Sequence, residues 1–74
     1  MRRGNAKWNG RKYAQDRYAA GYIAREVCDM VGISVGALNC YENNKATPDI
    51  EVASMLADIL GYEVIRYIDW EQFG

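Results

Sequence analysis

Apolar residues recur along this chain at helical spacing, in short blocks that end on glycine or asparagine. Gly10 opens a helical stretch from Arg11 to Ala20, in which Tyr13, Ala14, Arg17 and Tyr18 share a face and Gly21 suits a left-handed ending. A second helix is predicted from about Ile23 to Val31, with Val27, Cys28 and Val31 on one stripe and Gly32 as its stop. Ile33 reads as a buried turn residue and Ser34 as the N-cap of a third helix, about Val35 to Asn43, whose Leu38 and Tyr41 face inward. Asn43 and Asn44 tolerate a left-handed exit. After the loop Lys45-Ala46-Thr47-Pro48, Asp49 caps a fourth helix through Leu60, with Ala53, Leu56, Ala57 and Leu60 in an unbroken i, i+3, i+4, i+7 series closed by Gly61. A fifth segment, about Glu63 to Trp70, places Val64, Ile65 and Ile68 on one side, while Tyr67, Trp70 and Phe73 repeat every three residues. No strand pattern is read, so the expectation is an all-α fold of five short helices. Residues 1–9 lack periodicity and read as an arm preceding a domain over 10–74.

At 74 residues the chain makes one small domain with a thin core, so a deep enzyme pocket is not expected. Half of the residues are hydrophobic and a quarter are charged, a globular balance. No apolar run approaches the roughly 18 residues of a membrane helix, and the N-terminus has no signal-peptide stretch, which points to a cytoplasmic protein with no membrane partner.

The side-chain inventory removes further classes. There is no histidine, which excludes histidine-based acid–base catalysis, histidine-activated nucleophiles and most zinc sites. Cys28 and Cys40 are twelve apart without a CxxC, too few ligands for a metal and too few cysteines for a disulfide framework. No clustered acid pair or glycine-rich phosphate loop appears either. The chain reads as a non-enzyme without cofactor or metal.

Net charge is −1, but its distribution is lopsided. Residues 1–25 carry seven cations against Asp16, a sum of +6; residues 26–74 carry Lys45 and Arg66 against nine acids, a sum of −7. The basic segment is either a solvated tail or an arm that meets phosphates, and charge alone does not choose between them.

The informative unit is 21–48. Two helices of about nine residues flank Val31-Gly32-Ile33-Ser34, and a glycine in such a turn lets helices cross steeply, as in a helix-turn-helix whose second helix enters the major groove. Cys28, four residues before Gly32, stands where the two helices approach and only a small side chain fits. The sequence here resembles the Cro/repressor-like (XRE) helix-turn-helix family over about residues 11–69. The resemblance is carried by Arg17 with Gly21, Val27-Cys28-x-x-Val31-Gly32-Ile33-Ser34, Leu38, Tyr41-Glu42-Asn43-Asn44-Lys45, Pro48 and Leu56-Ala57-x-x-Leu60-Gly61. It implies a lambda-repressor-like domain with its helix-turn-helix core at about 23–43.

The resemblance also implies roles. Arg17 and Glu42 match a structural salt bridge between the first and third helices; the other readings of Arg17 are a phosphate contact or a solvated charge. Val35, Gly36, Asn39 and Cys40 match base-reading positions, where the family often has Gln, Arg, Ser, Thr or Lys. Asn39 alone among them suits a bidentate pair with adenine, Val35 suits a thymine methyl, and Gly36 permits close approach. Ser34, Asn43, Asn44 and Lys45 match phosphate contacts, the last three as a loop whose backbone N–H groups and lysine grip the DNA backbone, with Asn44 where the family usually has glycine. Ala24 stands where a phosphate-binding glutamine is common, and neighbouring Arg25 is the candidate substitute. The basic arm, Arg2, Arg3, Lys7, Arg11 and Lys12, is read as tracking the DNA backbone or entering a minor groove.

The expected partners are double-stranded DNA and, at least on DNA, a second copy of the chain, as a repressor of phage or mobile-element type. Tyr67, Trp70 and Phe73 either close the core or form a dimer patch with Ile68. The alternative is a protein-interaction module or antitoxin-like adaptor that keeps the fold with weak or no DNA binding and meets a protein partner through its acidic face. Cys40 reads as a bystander thiol or a redox-sensitive one.

Overall fold

The computed structural model describes residues 5–71. Four α-helices, α1 (Gly10–Ala20), α2 (Ala24–Val31), α3 (Val35–Glu42) and α4 (Ile50–Ile59), are followed by a 3-10 helix at Val64–Tyr67. Two short strands, β1 (Asn5–Trp8) and β2 (Ile68–Glu71), join the ends of the chain in an antiparallel pair.

The helix boundaries follow from local chemistry. The side chains of Asn9, Ser34 and Asp49 accept from the amides of Lys12, Ala37 and Val52, each satisfying one of the donors a helix start leaves open. Gly21 and Gly32 end α1 and α2 with φ of 84° and 85°, a conformation in which a β-carbon is costly.

The core is built from one to three residues per helix. Tyr13, Val27, Leu38, Leu56 and Tyr67 are fully buried, joined by Cys28, Ala53, Ala57 and Trp8. Tyr13 donates its hydroxyl to the Leu56 carbonyl at 2.8 Å, so the largest α1 side chain enters the core with its polar end satisfied. Trp8, Tyr13 and Tyr67 form an aromatic cluster with ring centroids 5.2–5.9 Å apart.

Two expectations are corrected. The fifth segment is not an α-helix: it makes one 3-10 turn and then extends as β2. Ile68-Asp69-Trp70-Glu71 and Asn5-Ala6-Lys7-Trp8 each alternate apolar with polar, but four residues are too few to separate a strand from a helix by pattern, and their pairing spans the whole domain. The same pairing means that residues 5–9 are not a free arm. Trp8 is buried, and the Asn9 amide donates to the Tyr67 carbonyl at 2.7 Å. Of the residues read as sharing a face of α1, Tyr13 and Arg17 are buried and Tyr18 is 74% exposed. Of the C-terminal aromatics, Tyr67 closes the core and Trp70 is exposed, while Phe73 lies outside the described residues.

Candidate nucleic-acid interface

The turn between α2 and α3 is short and tightly bonded. The amides of Gly32 and Ile33 both donate to the Cys28 carbonyl, at 2.7 and 3.1 Å. Val27 and Leu38 pack beneath it with no exposure, and Cys28 is buried where the helices meet. Burial raises the Cys28 thiol above its ordinary range, with Asp29 adding to the effect, so this cysteine is a packing residue.

With Leu38 and Glu42 pinned inward, the opposite face of α3 is set. Val35, Gly36, Asn39 and Cys40 are all exposed on it. A β-carbon built on Gly36 would meet nothing closer than Ser34 Oγ at 3.9 Å, so nothing in the fold itself demands glycine there. Ser34 stands exposed at the start of α3, its Oγ accepting from the Ala37 amide at 3.0 Å and its hydroxyl proton left to donate outward.

The far end of α3 is held by an ion pair. Arg17 Nε and Nη2 donate to the two carboxylate oxygens of Glu42 at 2.7 and 3.0 Å, and Nη1 donates to the Tyr22 carbonyl at 2.9 Å. Both residues are buried, and the Glu42 hydrogen bonds raise the pKa of Arg17. With all three nitrogens engaged internally, Arg17 is a structural cation.

The loop after α3 differs from what the resemblance implied. The amides of Asn43, Asn44 and Lys45 donate to the carbonyls of Asn39, Tyr41 and Cys40, closing the helix end rather than facing outward. Asn44 adopts φ of 59°, and its side chain accepts from the Gly10 amide at 2.9 Å. Asn43 donates its side-chain amide to the Asn39 carbonyl at 2.8 Å. What this loop offers a phosphate is therefore the exposed Lys45 ammonium and the side-chain amide protons of Asn43 and Asn44 that these bonds leave over. Arg66, the other cation beyond residue 25, is bound to Asp16 at 2.6 Å.

Arg25 is exposed at the second position of α2. Glu26 folds back there to accept from the Ile23 amide at 2.9 Å, so a carboxylate already occupies that helix start. Of the basic arm, Arg2 and Arg3 lie outside the described residues, Lys7 sits in β1 opposite Asp69, and Arg11 and Lys12 belong to the first turn of α1.

Residues that composition and spacing left unassigned hold the site in place. The Trp8 indole donates to the Tyr41 carbonyl at 3.0 Å, in the last turn of α3. A β-carbon on Gly10 would lie 1.8 Å from that same oxygen, so α1 begins in backbone contact with the end of α3. A lone tryptophan ahead of a glycine was the available signal, unreadable without its partner 33 residues away.

A small helical core that presents a capped, outward-facing second helix across a glycine turn defines the helix-turn-helix class. A helix-turn-helix family profile matches residues 14–65, most of the chain. The chain belongs to this family, in its XRE branch of DNA-binding transcription regulators. Among solved structures it is similar to the master regulator for biofilm formation SinR, determined in complex with DNA. The likeness has a TM-score of 0.69 and 26% identity, over 76% of this chain and 90% of that one. A search of curated proteins found no match. No helix among the described residues is long and apolar enough to cross a membrane.

Proposed function

We propose that this chain is a sequence-specific transcriptional repressor, of the kind carried by phages and mobile elements, that seats α3 in the major groove. The observation that carries the reading is the exposed face of α3, whose inward side is locked by Leu38 and by the Arg17–Glu42 pair. On that face Asn39 is the residue suited to a bidentate adenine contact, and Val35 to a thymine methyl. Gly36 supports it, because a glycine that the fold does not require permits close approach of the helix backbone to a base edge. Ser34 and Lys45 at the two ends of α3, with Arg25 on α2 and Asn43, are assigned to phosphates. The likeness to a regulator solved in complex with DNA supports DNA as the partner.

Two copies on a pseudo-palindrome, with half-sites about 34 Å apart, would block polymerase over a promoter. Exposed Trp70 beside Ile68 on β2 is the patch assigned to the dimer contact.

The test is fluorescence anisotropy with a random-sequence duplex across a salt series, for the parent and Lys45→Ala. Expected are binding that weakens steeply with salt and a slope shallower by about one in the variant. Absence of binding even at low salt overturns the reading and turns attention to a protein partner.

A further inference from the structure

We propose that the outward face of α1 is a second DNA-contacting ridge beside the recognition helix, with Arg11 and Tyr18 on the phosphate backbone and Gln15 between them. This rests on the DNA-binding reading above. Arg11, Gln15 and Tyr18 follow at i, i+4 and i+7, so they form one stripe of α1. All three are exposed. Together with Asn39 and Asn43 of α3 they line a groove between the two helices. Asn39 belongs to the face of α3 assigned to base edges, so a duplex seated against it brings its backbone over this groove.

The charge of the groove suits a phosphate. Its one carboxylate, Glu42, is 8% exposed and held on both oxygens by Arg17, so it is neutralised in place. What remains at the surface is the Arg11 guanidinium, three side-chain amides and a phenol, all of which donate hydrogen bonds. Tyr18 marks the end of the ridge. Its ring is supported by the Arg17 guanidinium, whose carbon lies 4.7 Å from the ring centroid. A second hollow, lined by Tyr18, Ile23, Ala24 and Asn39, continues from it to the start of α2. Tyr18 thus stands between the groove and the α2 end assigned to phosphate, and its 74% exposure is what a contact residue needs and a core residue does not.

The experiment is the same anisotropy titration with a random-sequence duplex, between about 50 and 200 mM salt, on Arg11→Ala, Tyr18→Phe and Tyr18→Ala, with circular dichroism to verify folding. Lys12→Ala serves as the control, one residue on and turned about 100° around the helix. Arg11→Ala should bind more weakly with a salt slope shallower by about one, and more so than Lys12→Ala. Tyr18→Ala should lose several-fold in affinity and Tyr18→Phe a smaller part. If Arg11→Ala and both Tyr18 variants bind as the parent does while Lys45→Ala is impaired, the ridge falls and the DNA reading stands. Equal effects from Arg11→Ala and Lys12→Ala would reduce the groove to diffuse charge and also overturn it. A parent that binds no duplex at low salt removes the reading and the ridge together.

Discussion

Trp8 donates its indole N–H to the main-chain carbonyl of Tyr41 at 3.0 Å, which ties the strand before α1 to the last turn of α3. The segment that resembles a free arm therefore anchors the recognition helix. Trp8→Phe keeps most of the ring contacts but removes that hydrogen bond, leaving the carbonyl to the Asn44 amide, an expected loss of about 1 kcal/mol. Trp8→Ala should cost about 3–5 kcal/mol. Gly10→Ala drives a β-carbon into the same backbone oxygen, 1.8 Å away, and should cost about 3 kcal/mol or more. A domain of this size holds about 5 kcal/mol in all, so Trp8→Phe should lower the urea midpoint measurably, while Trp8→Ala and Gly10→Ala should leave the domain close to unfolded without denaturant.

The Arg17–Glu42 pair is buried, and breaking it strands a charge. Arg17→Ala and Glu42→Ala should each cost about 3–5 kcal/mol in urea denaturation. The double substitution should cost less than the two added together, since no lone charge is left behind. Arg17→Lys should not rescue, because a single ammonium cannot hold both Glu42 oxygens and the Tyr22 carbonyl at once.

Gly36 separates stability from function. Since its β-carbon position is open, Gly36→Ala should raise stability by about 0.5–1 kcal/mol through helix propensity. The same variant should weaken DNA binding in the anisotropy titration. A thermal midpoint that rises while affinity stays unchanged would remove Gly36 from the base-reading face.

Asp16 receives Arg66 Nε at 2.6 Å and the Tyr67 hydroxyl at 2.7 Å. The Arg66 hydrogen bond, chiefly, holds its pKa below the usual carboxylate range, against a smaller opposing push from burial. A carboxylate whose folded pKa is depressed stabilises the fold above its unfolded pKa, and that contribution is lost as pH falls through the folded value. Thermal midpoints should therefore drop on acidification below the usual carboxylate range, and Asp16→Asn should flatten that part of the profile.

Tyr13 and Tyr67 have pKa values pushed upward, first by burial and then by Glu42 and Asp16 respectively. The neutral phenols are thus favoured in the folded state, a contribution present below the ordinary tyrosine pKa and lost as pH rises beyond it. In an absorbance titration Tyr13 and Tyr67 should stay un-ionised through the ordinary tyrosine range and should ionise only as the domain unfolds in alkali. Tyr67→Phe should remove one late-titrating group.

Local pattern was enough for much of the architecture. The caps Ser34 and Asp49, the glycine stops at Gly21 and Gly32, and the Ala53-Leu56-Ala57-Leu60 stripe set α2, α3 and α4 near their observed bounds, because each acts within one or two helical turns. The Gly32 turn between two short helices sufficed for the helix-turn-helix class. The β1–β2 pair was not legible, since its two four-residue strands meet only through the folded core. Nor was the Gly10–Asn44 bond, which ties the loop after α3 to the start of α1 across 34 residues. Sequence by itself determined the four α-helices and the buried stripe of α4, because propensity, capping and periodicity are short-range. Tertiary structure alone decided that Trp8 is buried, that Tyr18 is exposed and that Ile68–Glu71 pairs as a strand with Asn5–Trp8, because each depends on partners that only long-range packing brings within reach.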